Sequence, residues 1–337
     1  MMPTTEEQVT LWLTEQGARV HRIRNRFLVR KGNDTLQEVP VELLEGVVIC
    51  GNVILTPGAR NSLLKRGVET VFLSHLGQYK GRLESRRGNN VALRSRQYEC
   101  RGNTPLRLRI SRQIVAAKLH NQRVLLARRR DASEIIRHCC EELERHEQKS
   151  RVATKVASLR GLEGSGAGAY FKGLAAALKD PMDFSKRTRR PPTDPVNAML
   201  SLGYTLLYEG AVGALRLAGL DPWAGFYHEA RPGHAALASD LVEEFRAPVV
   251  GALVLGLVNR RTLTTSDFRR TRSGGYRLKQ PKLKRYLEAY ARRIRQKTIH
   301  PATGERFPLL RCMEVSARQL AAVLRGERDS YNAFEMR

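Results

Sequence analysis

At 337 residues the chain is long enough for about two domains with cores of their own, and 42% hydrophobic with 27% charged residues is a globular balance that excludes wholesale disorder. The charge is unusual: 59 lysines and arginines stand against 33 acids, a net of +26, so the expected partner is a polyanion, nucleic acid before anionic membrane. The most apolar stretch, Ala247 to Val258, is followed at once by Asn259-Arg260-Arg261 and is too short to span a bilayer. Glu6, Glu7 and Glu15 stand where a secretory leader needs positive charge, so the expectation is a cytoplasmic protein without membrane attachment. Five cysteines without a CxxC pair indicate neither a disulfide framework nor a zinc knuckle.

From about Val20 to Cys100 short β-type runs follow one another: FLVR, VPVELLEGVVICG, VILT, VETVFLS, YKGRLES and VALRS. Glycine and asparagine separate them, as in Arg30-Lys31-Gly32-Asn33-Asp34 and Arg87-Gly88-Asn89-Asn90, which suits hairpins and predicts an antiparallel β domain. One helix interrupts it at Thr56 to Arg66, where Thr56 can cap, Pro57 fits the first turn, and Leu63 and Leu64 supply an apolar face. After Arg101-Gly102-Asn103-Thr104-Pro105 the period lengthens, and helices are expected at Pro105 to Arg129, Ala132 to Lys149, Val152 to Arg160, Thr193 to Leu217, His234 to Arg246, Pro248 to Arg260, Pro281 to His300 and Val315 to Arg325. Lys179 to Pro195 and Asp267 to Gly275 read as loops, rich in proline or glycine among arginines. The predicted class is α+β: a β-rich domain over residues 1–102, then a larger all-α domain over 103–337.

Residues 1–104 hold 16 basic and 10 acidic side chains and the remainder 43 and 23, so the excess is +6 against +20 and the phosphate-binding surface belongs to the helical part. With only 6% aromatic residues, backbone contact with duplex DNA fits better than base stacking. The loop arginines Arg187, Arg189, Arg190, Arg269, Arg270 and Arg272 are the candidate contacts. Chemistry on nucleic acid calls for hard oxygen ligands for magnesium or manganese. Glu163 sits among small residues in Arg160 to Phe171, which is not a P-loop because no Gly-Lys-Ser/Thr follows. In Gly225 to Arg246, Asp240 and Glu243 fall at i and i+3 on one helix face near His228 and His234, and their repulsion requires a cation or an arginine. By residue type alone these are a metal site or an ion-pair face, and the plainer reading, a structural histidine and a first-turn glutamate, has the greater weight.

These segments and their flanks resemble the CRISPR-associated integrase and endonuclease family, the universal first subunit of the spacer-acquisition complex. The resemblance rests on Gly51-Asn52-Val53, Thr56 to Ser74, Ala116 to Gln122, Glu163-Gly164 with Tyr170-Phe171, Arg190 to Tyr204, Pro222 to His228 and Asp240 to Arg246, in order and over nearly the whole chain. It departs from many members at His234-Ala235-Ala236, where an arginine or another residue and a serine are usual. The family implies an N-terminal β-sandwich that mediates homodimerisation and a helical domain holding Mg2+ or Mn2+. Carried over by position, the metal-binding catalytic set is Glu163, His228 and Glu243, with Asp240 orienting the ligands or replacing Glu243 among them. The implied activity joins the 3′-OH ends of short double-stranded DNA fragments to a CRISPR repeat by transesterification, with a small ferredoxin-like second subunit as partner. A hydrolytic metal-dependent nuclease and a non-catalytic basic DNA-binding protein are the alternatives.

Overall fold

A computed structural model describes residues 9–74, 79–83, 90–129 and 133–337. Glu6, Glu7 and most of the turn expected at Arg87 to Asn90 lie outside those residues. The chain divides into two compact units, Met1–Arg87 with Lys279–Ala291, and Gly88–Leu278 with Arg292–Arg337.

The first unit contains β1 (Val9–Leu13), β2 (Arg19–Ile23), β3 (Arg26–Lys31), β4 (Asp34–Pro40), β5 (Leu44–Cys50), β6 (Ile54–Leu55), α1 (Pro57–Arg66), β7 (Glu69–Leu73) and β8 (Tyr79–Leu83). Two four-stranded sheets form, ordered β1-β5-β7-β8 and β4-β3-β2-β6. The pairs β2–β3, β3–β4 and β7–β8 are antiparallel as expected, but β1–β5, β5–β7 and β2–β6 are parallel, which corrects the all-antiparallel reading. For β5–β7 the physical reason is α1, a crossover that returns the chain to the end of the sheet from which β5 started, whereas β1 and β5 are joined through β2, β3 and β4 of the other sheet. Thr56 accepts from the Ala59 N–H at 3.4 Å and Gly67 ends the helix at φ +70°. Leu13, Val20, Phe27, Val47, Ile49, Ala59 and Leu63 belong to one core shared by both sheets and α1, the sandwich that the family resemblance implied.

The second unit begins with α2 (Val91–Gly102), α3 (Thr104–Ala127), α4 (Glu134–Val152), α5 (Val156–Ala177), α6 (Pro195–Leu217) and α7 (Ala236–Phe245). A π-helical turn at Arg246–Gly251 then leads to α8 (Ala252–Asn259) and a hairpin of β9 (Phe268–Arg270) and β10 (Tyr276–Leu278). The run VALRS is helix, not strand: Asn90 caps it through Leu93 N–H at 3.0 Å, and Leu93, Gln97 and Cys100 are its buried stripe. Expected to stop at Arg160, α5 instead continues through the small-residue run, because those residues let it lie against its neighbours: a Cβ on Gly173 would come within 2.6 Å of Leu126 Cδ1. The π-turn carries Pro248, which has no N–H to give a regular ladder. The loop expected at Asp267 to Gly275 is largely the β9–β10 hairpin, whereas residues 179–194 form no regular element.

Next comes α9 (Gln280–Ile294), then β11 (Lys297–Ile299), β12 (Arg306–Pro308) and α10 (Leu309–Arg325). Most of α9 belongs to the first unit, where Tyr290 meets Trp12 edge-on with ring centroids 6.1 Å apart. The division therefore falls at 87/88 with a return at 279–291, where the sequence placed a single one at 102/103. All five cysteines are free. Among the described residues one helix, α6, is long and apolar enough to cross a membrane, and 67% of that window is buried within the protein.

Candidate functional site

Three stretches far apart in sequence meet around the ammonium of Lys118. Buried on the inner face of α3 beside Ala117 and Leu119, it contacts Glu163 of α5 and lies 2.6 Å from Glu243 Oε2 of α7. Glu163 keeps 27% of its side chain exposed and Glu243 only 5%, so the pair opens toward solvent on the Glu163 side. Arg246, one helical turn beyond Glu243, brings its Nε to 3.0 Å from the same Oε2. Burial opposes ionisation of Glu243, but Arg246, Lys118 and His228 outweigh it and hold the carboxyl at about 2.

His228 ends an arc that Asp240 clamps from α7. Asp240 Oδ2 accepts from the N–H groups of Phe226 at 2.6 Å and Tyr227 at 3.0 Å, and Oδ1 accepts from the His228 N–H at 2.8 Å. The same Oδ1 lies 2.8 Å from His228 Nδ1. Because an ionised carboxylate only accepts, Nδ1 carries the proton in this contact and Nε2 faces Glu243 Oε1 at 3.9 Å. Burial lowers the His228 pKa, but hydrogen bonding and attraction to Asp240 raise it more, and the net shift is upward. Glu244 turns the other way: its carboxylate accepts from Phe334 N–H at 2.8 Å, from Ser316 Oγ at 3.2 Å and from the Tyr331 hydroxyl, and burial pushes it up to about 7.

The six arginines do not behave alike. Arg187 turns inward, donating to Asn197 Oδ1 at 2.8 Å and Ser201 Oγ at 3.0 Å, and lies over the Tyr204 ring at 5.5 Å. Arg246 lies over the same ring at 4.6 Å, so one tyrosine carries both guanidinium groups beside the acids. Burial lowers the Arg187 pKa to about 10. Arg189, Arg190, Arg269, Arg270 and Arg272 are exposed. Their two segments are adjacent, since Tyr276 N–H donates to Pro192 O at 2.8 Å. Sequence reasoning passed over Lys118 and Tyr204 as site residues; the available signal was a lysine set within the apolar run of α3.

Among the described residues no three His, Cys, Asp or Glu side chains lie close enough to hold an ion as placed. The chemistry of the donor set nevertheless suits a divalent cation: two carboxylates flank the Lys118 ammonium, His228 Nε2 lies 3.9 Å from one of them, and the imidazole is fixed by a carboxylate behind it. Glu243 Oε2 is buried without an aligned hydrogen bond, despite its close ionic contacts.

The family model described as CRISPR associated protein Cas1 matches residues 11–292. The chain belongs to this family. A CRISPR-associated endonuclease Cas1 of Thermus thermophilus is 38% identical over 328 residues, covering 97% of this chain and 99% of the relative. A Cas4/Cas1 fusion of Rhodospirillum rubrum is 33% identical over 336 residues, and this chain, 98% covered, spans 58% of its length. Among solved structures, the Cas1 protein of Thermotoga maritima matches with a TM-score of 0.81 at 25% identity, over 97% of this chain and all of that one. A chain of a partial Cas6-RT-Cas1–Cas2 complex matches with a TM-score of 0.70 at 29% identity, over 98% and 99%. The Cas1 fold accounts for the order of a strand-rich unit followed by a mostly helical one.

Proposed function

We propose that this Cas1 chain is a metal-dependent DNA integrase of CRISPR adaptation, joining the 3′-OH ends of short double-stranded fragments to a CRISPR repeat by transesterification in the cytoplasm. The observation that supports the reading is the placing of Glu163 and Glu243 on either side of Lys118 with His228 Nε2 beside Glu243, in a chain whose charge excess makes DNA the natural partner. Glu163, His228 Nε2 and Glu243 would hold Mg2+ or Mn2+, which when bound would neutralise phosphoryl charge and lower the pKa of the attacking hydroxyl. The chain's own residues do the remainder. Asp240 holds His228 in the tautomer that leaves Nε2 free to ligate, and Arg246 keeps Glu243 ionised. The exposed arginines of the 188–193 and 269–272 segments hold the DNA backbone, and positioning of this kind supplies much of the rate in phosphoryl transfer.

The proposed assembly is a homodimer through the strand-rich unit, whose sheets present β1, β8, β4 and β6 as edges, with residues 34–38 of β4 exposed in succession. A small ferredoxin-like second subunit is the proposed heterologous partner, supported by the likeness to a chain from a complex whose name includes Cas2. The test is strand transfer: end-labelled fragment is incubated with a repeat-bearing plasmid in Mn2+ or in chelator. Labelled plasmid only in Mn2+ is the expected result; plasmid cut but unlabelled would replace integration with hydrolysis, the reading that the name endonuclease borne by the relatives favours.

A further inference from the structure

A buried lysine is a costly cation unless it is closely paired. Lys118 has 7% of its side chain exposed, and the partners of its ammonium are Glu163 and Glu243, two of the three groups proposed above to hold metal. Charge counting shows what this does. Glu163, Glu243 and Asp240 carry three negative charges, and Lys118, Arg246 and Arg187, which shares the Tyr204 ring with Arg246, carry three positive ones. The site is thus neutral without any ion. Adding a divalent ion leaves two positive charges uncompensated in a largely buried pocket. The arrangement relaxes if the ammonium leaves the acids, and a flexible four-carbon stem permits that where the forked, ring-stacked Arg246 is held.

We infer that Lys118 is an internal counterion that competes with the divalent ion for Glu163 and Glu243, and that metal uptake releases its ammonium to take an oxygen of the substrate phosphate. This rests on the metal reading of Glu163, His228 and Glu243. It makes metal and DNA mutually dependent: the phosphate supplies the negative charge that metal uptake leaves wanting, and the freed lysine supplies a donor that the metal-free site withholds.

The experiment is a calorimetric Mn2+ titration at pH 8, without DNA, of the wild type, Lys118→Met and Lys118→Arg, with melting curves as a folding check. Lys118→Met should bind Mn2+ at least ten-fold more tightly and yet lose strand transfer more than ten-fold, a split that a merely structural lysine would not produce. Lys118→Arg, still cationic, should bind Mn2+ within a few-fold of wild type. Equal or weaker Mn2+ binding by a folded Lys118→Met protein overturns the inference while leaving the metal reading in place, and undiminished strand transfer overturns the phosphate contact. Absence of uptake by all three proteins overturns the metal reading and this inference with it. Should Lys118→Met fail to fold, wild-type protein treated with an amine acylating reagent decides: Lys118 should be acylated several-fold faster in Mn2+ than in chelator, and equal rates overturn the proposal.

Discussion

Glu243 and Glu244 are neighbours on α7 with opposite electrostatic fates. The first is held near 2 by Arg246, Lys118 and His228 against the opposing effect of burial, so it is a carboxylate at every working pH. The second is pushed up to about 7, because burial outweighs the donors from Phe334, Tyr331 and Ser316. A raised carboxyl favours the folded state below the unfolded value of 4.5, and that advantage is lost as pH rises toward about 7, a loss of about 3 kcal/mol for a shift of this size. Glu244→Gln should therefore match wild type near pH 4 and become progressively more stable than it between pH 4.5 and 7, as denaturant titrations at each pH would show; a pH-independent difference would contradict the assignment. For Asp240, whose two oxygens accept from three backbone N–H groups and the His228 ring, Asp240→Asn should lower strand transfer by about 10–100-fold while DNA affinity holds, measured by rate and by fluorescence anisotropy. The proposal for Glu163, His228 and Glu243 comes from the family resemblance, since residue type alone left both a metal site and an ion-pair face open and favoured the latter. Lys118 was hidden for a plainer reason: its partners lie 45 and 125 residues away, beyond any local pattern.

The elements show where periodicity succeeds and fails. In α1, Thr56 and Pro57 set the start and Gly67 the stop, so its bounds could be read from the chain. VALRS misled because Val91, Leu93 and Ser95 alternate like a strand, while the stripe that folds, Leu93, Gln97 and Cys100, includes a polar residue whose amide is satisfied by Asp221 O and Ala224 O at 2.9 Å each. Parallel pairing of β1, β5 and β7 was illegible because it depends on partners brought by a crossover, not on the strands' own residues. The irregular 179–194 stretch was read as one basic loop, but its arginines divide. Replacing Arg189 and Arg190 together by Ala should weaken DNA binding and reduce the slope of log affinity against log salt by about 0.9 for each phosphate that is no longer neutralised. Replacing Arg187, tied to Asn197 and Ser201, should instead lower the melting temperature and leave that slope nearly unchanged. Identical slope changes for both variants would show that Arg187 reaches DNA as well.

At the scale of the whole molecule, the α+β order was legible in the shift from short strands to long helices, and the charge excess supports the proposed nucleic-acid partner. The return of 279–291 to the strand-rich unit was not legible, because the stripe of Leu283, Tyr286, Leu287 and Tyr290 on α9 says that a core is needed without saying which one. Light scattering at micromolar concentration should give the mass of a dimer of the 38.0 kDa chain, and a monodisperse monomer would contradict pairing through the strand-rich unit. The central claim is that phosphoryl chemistry rests on Glu163, His228 and Glu243, whereas DNA binding rests on many dispersed cations. Its most direct test is strand transfer by Glu163→Ala in Mn2+, with fragment affinity measured on the same preparation: joining to the repeat should be abolished at near wild-type affinity, and joining at near wild-type rate would contradict the claim.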